Sequence, residues 1–115
     1  MAISYKVLGQ SNPVAVTTTT LYTVPSDTQA IVSTLTICNT GVTTSGYRLS
    51  VCPNGVGVST ESYIVYDATV SNNDTIFLTL GMSFDSADVV RVYADESTVS
   101  FNLFGSEITW NDLWL

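Results

Sequence analysis

The sequence predicts an all-β domain, an antiparallel β-sandwich or jelly roll of about eight short strands. Three observations lead there. Apolar and β-branched residues alternate with polar ones at period two, in run after run. Clusters of Gly, Pro, Asn and Asp separate those runs. Thr, Ser and Val dominate the composition, which favours strands, and no stretch of useful length repeats with helical period.

Residues 1–13 read as a strand-like arm or first strand, with Ile3, Tyr5 and Val7 alternating against Ser4 and Lys6 until Gly9 to Pro13 breaks the pattern. Residues 14–25 (VAVTTTTLYTVP) read as a second strand, ended by Pro25, which has no amide hydrogen to donate. The stretch Gln29 to Cys52 reads as the centre of the fold, two strands joined by a loop. On the first strand Ile31, Leu35 and Ile37 are assigned to one face and Val32, Thr34, Thr36 and Cys38 to the other. On the second, Tyr47, Leu49 and Val51 alternate with Arg48, Ser50 and Cys52. Asn39-Thr40-Gly41 and Ser45-Gly46 allow a reversal between them, so the pair is expected to form a hairpin.

Pro53 to Thr60 reads as a loop, Ser62 to Tyr66 as a strand, and Asp67 to Asp74 as a polar turn. Thr75 to Leu80 alternates strictly, with Ile76, Leu78 and Leu80 inward, and Gly81 is expected to close that strand. Residues 89–94 and Thr98 to Phe104 supply two more strands, the latter with Val99, Phe101 and Leu103 inward. The domain therefore divides into an arm or first strand over 1–13, a sandwich over 14–106 and an apolar tail over 107–115. The tail carries both tryptophans. Trp110, Leu113, Trp114 and Leu115 are too apolar to be left in water and are expected to dock on a partner or to cover the end of their own sandwich.

Cys38 and Cys52 both fall on the polar side of the central pair. In a hairpin centred near residue 43 they would sit ~13 Å apart along the strands, at ~3.3 Å per residue. A disulfide needs Cα atoms within ~7 Å, so two free thiols are expected.

Charge excludes several functions. Charged residues make up 11% of the chain, against about 25% in an ordinary domain, and the net charge is −7. Only Lys6, Arg48 and Arg91 are available to meet phosphates, which argues against nucleic acid and against anionic membranes. A surface so poor in charge suits a subunit that buries much of itself in an assembly. The start, Met-Ala-Ile-Ser-Tyr, lacks the basic region and apolar run of a secretory signal.

The expected chemistry is also thin, and the chain reads as a non-enzyme. It has no histidine, no glycine-rich phosphate loop ahead of a helix and no G-x-S-x-G elbow. Asp67, Asp74, Asp85, Asp88, Asp95 and Glu96 fall in or beside turns, where Asp commonly bonds its own backbone. A calcium site is the less favoured reading of the same residues. No cofactor is implied. The tyrosines Tyr47, Tyr63, Tyr66 and Tyr93 are candidate surfaces for stacking a glycan, set against their plainer role in sheet packing.

The segments LYTVP (21–25), Cys38-Asn39, YDAT (66–69) and the V-x-F-x-LFGSEIT run of 99–109 carry a resemblance. With the intervening YIVYDATV, NNDTIFLTLGMSF and DVVRVYA, residues 14–109 resemble a family of small virion structural proteins of tailed phages, frequent in phages of cyanobacteria. The resemblance implies a β-rich fold and a non-enzymatic place on a virion made in a bacterial cytoplasm. A capsid decoration or cement protein forming a small oligomer, a trimer, is the first expectation. Its partners would be other copies of itself and the major capsid protein or the neck and tail proteins. A neck or tail fibre module binding a host glycan is the alternative. No catalytic residues carry over, and the tail after Thr109 lies outside the resemblance.

Overall fold

A computed structural model describes residues 1–110. It contains eight strands: β1 (Ala2–Ser11), β2 (Thr19–Thr23), β3 (Thr28–Asn39), β4 (Ser45–Cys52), β5 (Tyr63–Val70), β6 (Asp74–Phe84), β7 (Val89–Ala94) and β8 (Val99–Thr109). They form two four-stranded antiparallel sheets, in the orders β1-β8-β3-β6 and β2-β7-β4-β5. Eight strands in this order make a jelly roll. Consecutive strands pair only at β4 and β5; every other connection crosses from one sheet to the other.

That topology corrects the expected central hairpin. β3 lies between β8 and β6, whereas β4 lies between β7 and β5 in the opposite sheet. The residues of 40–44 tolerate a reversal, but they use it to change sheets. What the local pattern lacks is the identity of the neighbours, which come from residues 63–109.

The core between the sheets is built from Val32, Leu35, Ile37, Leu49, Val90, Val92, Phe101 and Leu103, among others, all essentially inaccessible to solvent. Face assignments on β3 are half right. Leu35 and Ile37 point inward as expected, but so do Ala30 and Val32, while Ile31 is 45% exposed. The register against both neighbours shifts between Val32 and Thr34. Against β8 Ser33 is an extra residue, and against β6 it stands alone opposite Leu80-Gly81, so the one-residue mismatch on either side inverts the parity of β3 at Ser33. On β6, Ile76, Leu78 and Leu80 do pack on the core, and the strand runs on through Gly81 to Phe84.

Other boundaries move as well. The strand expected over 14–25 shortens to Thr19–Thr23, because Ala15-Val16 makes a turn with Val16 at φ 57°. The polar stretch from Asp67 contributes four residues to the end of β5. The first strand, β1 (Ala2–Ser11), lies at the edge of its sheet against β8. β8 continues past residue 106 to Thr109, because Ser106, Glu107 and Ile108 still pair with both β1 and β3.

Both cysteines are free. The reason differs from the one expected: Cys38 is on β3 and Cys52 on β4, in opposite sheets, and packed sheets lie ~10 Å apart. Cys52 is fully buried but outside the core between the sheets, where the β4–β5 connection packs against β4 and β7.

Connections gather at two ends. Residues 12–18, 40–44, 71–73 and 95–98 meet at one, tied by Asn12 donating to the Ser97 and Val99 carbonyls and by Val16 N–H donating to Ala94. Residues 24–27, 53–62 and 85–88 meet at the other, with both ends of the described chain.

Candidate functional site

Two surfaces and one buried cluster carry the side chains that could serve a function. The first surface is the outer face of β4, β5 and β7. Arg48 and Tyr93 face each other across the β4–β7 ladder, and Tyr66 stands on β5 beside them. The Arg48 guanidinium lies over the Tyr66 ring at 4.4 Å from its centroid and over the Tyr93 ring at 4.2 Å. Asp67 accepts from Arg48 Nε at 2.6 Å and from Nη2 at 3.3 Å. The paired carboxylate holds the guanidinium firmly charged. Tyr63 stands edge-on to Tyr66, centroids 4.8 Å apart. Val58, Ser59 and Thr60 border a shallow groove beside Tyr63 and Tyr66.

Three of the four tyrosines singled out in the sequence are therefore brought together. Tyr47 is not. It is 3% exposed, faces inward, and meets Phe101 edge-to-face with centroids 6.4 Å apart; burial pushes its hydroxyl pKa up. Tyr47 cannot contact a glycan from that position, because an even-numbered step along β4 puts it on the same side as Leu49. Arg48, which sequence reading left out of the site, is its central member. Its position opposite Tyr93 depends on β4 and β7 being neighbours, which 44 intervening residues hide. The arrangement is a clamp on a cation more than an open platform, since Arg48 takes one face of both Tyr66 and Tyr93.

The second surface is the outer face of β1, β8 and β3 near the chain ends. Tyr5, Ser106 and Ile31 stand in one row across the three strands, and Val7, Phe104 and Thr34 in the next. Tyr5 is 84% exposed and Ile3, Val7 and Ile31 are about half exposed. A shallow, mainly apolar groove runs between Tyr5, Val7, Ile31 and Phe104. Trp110 follows directly on β8, half exposed, its N–H bonded to Asp27 O at 2.8 Å. Leu113, Trp114 and Leu115, the other tail residues expected to dock, lie outside the described residues.

The buried cluster joins the sheets. Glu107, 6% exposed, accepts from the Tyr22 hydroxyl of β2 on one oxygen and pairs with Lys6 of β1 on the other at 2.6 Å. Burial works to raise the Glu107 pKa, but the bonds from Lys6 and Tyr22 outweigh it and leave the carboxyl below the usual range. Burial and the neighbouring carboxylate push the Tyr22 hydroxyl well above its ordinary value.

The loop carboxylates serve their turns. Asp74 Oδ1 accepts from Thr75 N–H, Asp85 Oδ1 from Ser86 N–H, and Asp88 from both Asp85 and Asn54 N–H. Asp95 accepts from Gly46 N–H. Among the described residues no group of three or more Asp, Glu, Cys or His side chains is placed to hold a metal ion.

No family model matches the sequence, and no curated protein does. Among solved structures, a chain from the structure of infectious bursal disease virus, Gx strain, is similar with a TM-score of 0.53 at 12% identity. The alignment covers 97% of the present chain and 33% of the viral one, so the chain spans a third of that neighbour's length. At that identity the likeness is one of fold.

Proposed function

We propose that this protein is a non-enzymatic structural component of a virion. The observation that carries the proposal is the match of the whole jelly roll, 97% of the chain, to part of a chain in a virus structure. Jelly rolls of this order also build lectins and cupins, so the fold narrows the choice without making it. Composition narrows it further. A chain with 11% charged residues and exposed Ile3, Tyr5, Val7, Ile31 and Phe77 is suited to life inside an assembly.

The finer reading rests on the resemblance of residues 14–109 to small structural proteins of tailed phages. We infer a capsid decoration or cement protein, made in the bacterial cytoplasm and bound to the shell as a small oligomer, a trimer, with the major capsid protein as its main partner. A neck or tail module that binds a host glycan is less well supported, because Tyr47 is in the core and Arg48 occupies a face of Tyr66 and of Tyr93.

Mass spectrometry of purified particles, followed by a cryo-electron microscopy map, tests both levels. The protein is expected in stoichiometric amount on the shell. Its presence in infected-cell lysate but never in purified particles would overturn the virion reading. Density at the neck or tail would overturn decoration alone.

A further inference from the structure

We propose that the groove on the outer face of β1, β8 and β3 receives residues 111–115 of a second copy of this chain. The inference deepens the assembly reading above and rests on it. The groove and the tail are both apolar. Tyr5 and Val7 come from the edge strand, Phe104 from β8, and Ile31 from β3. Asn111-Asp112-Leu113-Trp114-Leu115 follows Trp110, where β8 has ended.

Reach decides between the molecule's own groove and a neighbour's. Trp110 N–H is bonded to Asp27 O, so Trp110 still follows the β8 direction at the end of the sheet. The groove centre, between Tyr5, Val7 and Phe104, lies back along β8 by about five residues, or ~17 Å at ~3.3 Å per residue. To return there the tail must first reverse. Asn111-Asp112 suits a turn, but a turn leaves three residues, which cover only ~10 Å. Leu113 to Leu115 would then stop short of Val7 and Phe104. Without reversing, all five residues, ~17 Å, are available to a neighbour. A tail inserted into the next subunit's groove is a heterologous contact, the kind that closes rings such as a trimer.

The test uses the full chain with Trp110→Phe, which leaves Trp114 as the only tryptophan. Sedimentation velocity and Trp114 emission are followed over a hundredfold range of concentration. Two variants accompany it: a chain ending at residue 110, with an intact groove, and Ile31→Asp, with an intact tail. Ile31 is on the outer face, and thermal melts confirm that both variants fold. The parent is expected to associate as concentration rises, with Trp114 emission shifting to the blue in parallel. Each variant alone is expected to remain monomeric, and their mixture to associate again. Solvent-like Trp114 emission with a monomeric parent at all concentrations overturns the proposal. So does blue-shifted emission that dilution leaves unchanged, which would place the tail on its own chain, or association that survives both variants. None of these outcomes removes the protein from purified particles, so the virion reading is judged separately.

Discussion

The Tyr22 hydroxyl donates to Glu107 across the interior, joining β2 of one sheet to β8 of the other, while Lys6 reaches the same carboxylate from the edge strand. The chain's one lysine is thus spent on the one buried carboxylate among the described residues. Stability should depend on pH at both extremes. The Glu107 pKa is lowered on folding, so its contribution is present above the unfolded value near 4.5 and is lost as pH falls through the lower folded value. The Tyr22 pKa is raised, so its contribution is complete below pH 10 and is lost as pH rises beyond that. Glu107→Gln is expected to cost on the order of 2 kcal/mol at neutral pH and to flatten the acid limb. Tyr22→Phe should remove part of the alkaline limb. Urea midpoints measured from pH 3 to 11 check both, and an unchanged acid limb in Glu107→Gln would show that other carboxylates govern it.

Two glycines are fixed by the closeness of their neighbours. A Cβ on Gly105 would lie 2.1 Å from Ile31 O and 3.0 Å from Val32 Cα, and one on Gly9 would lie 2.3 Å from Leu21 O. The obstacles are largely backbone, so they cannot swing aside. Gly105→Ala and Gly9→Ala are each expected to cost about 3 kcal/mol or more, the upper end for overpacking. Gly81→Ala, with nothing within 4 Å of its added Cβ, should change stability by no more than about 0.5 kcal/mol. Equal losses at Gly105 and Gly81 in denaturant melts would refute the steric account.

Asn39 organises the end of the molecule away from the tail. It is fully buried and uses all of its hydrogen-bonding capacity: Nδ2 donates to the Thr43 and Val70 carbonyls, and Oδ1 accepts from Gly41 N–H and the Thr98 hydroxyl. Connections 40–44 and 95–98, and the end of β5 from which 71–73 departs, are thereby held to one side chain. Asn39→Ala strands several buried partners and is expected to cost about 2–4 kcal/mol, with amide exchange accelerating in all three connections. Thr98→Val removes one bond and should cost about 1 kcal/mol. Exchange that quickens only at 40–44 would show that Asn39 is local in its effect.

Much of this fold was legible in the sequence because alternation is a local signal. Val99, Phe101 and Leu103, Ile76, Leu78 and Leu80, and Leu35 and Ile37 all pack where period two puts them. The sheet order was not legible, since β3 meets its neighbours through residues 35 to 81 positions away in sequence. The Arg48 clamp is hidden for the same reason: Tyr66 and Tyr93 stand out as aromatics, but the cation between them depends on which strands are neighbours. Bulges were the other blind spot. Nothing in Val32-Ser33-Thr34 announces that one residue is extra, yet that residue decides which half of β3 faces in.

The bulge gives the last prediction. If Ser33 inverts parity, burial changes sides along a single strand: Val32 and Leu35 are inside, three positions apart, while Ile31 and Thr36 are outside. Leu35→Ala should cost ~2–5 kcal/mol, because a wholly buried side chain leaves a cavity. Val32→Ala, a smaller truncation in the same core, should cost about 1–3 kcal/mol. Ile31→Ala and Thr36→Ala should each cost less than about 1 kcal/mol in the monomer. Strict alternation through residues 31, 33, 35 and 37 would instead make Ile31 as costly as Leu35 and leave Val32 nearly silent. Urea melts of the four variants separate the two patterns, because the bulged and unbulged strands rank Ile31 and Val32 in opposite order. A loss at Ile31 equal to that at Leu35 in the monomer would mean the inversion at Ser33 is wrong. A loss at Ile31 that appears only at concentrations where copies associate would point to the outer-face groove.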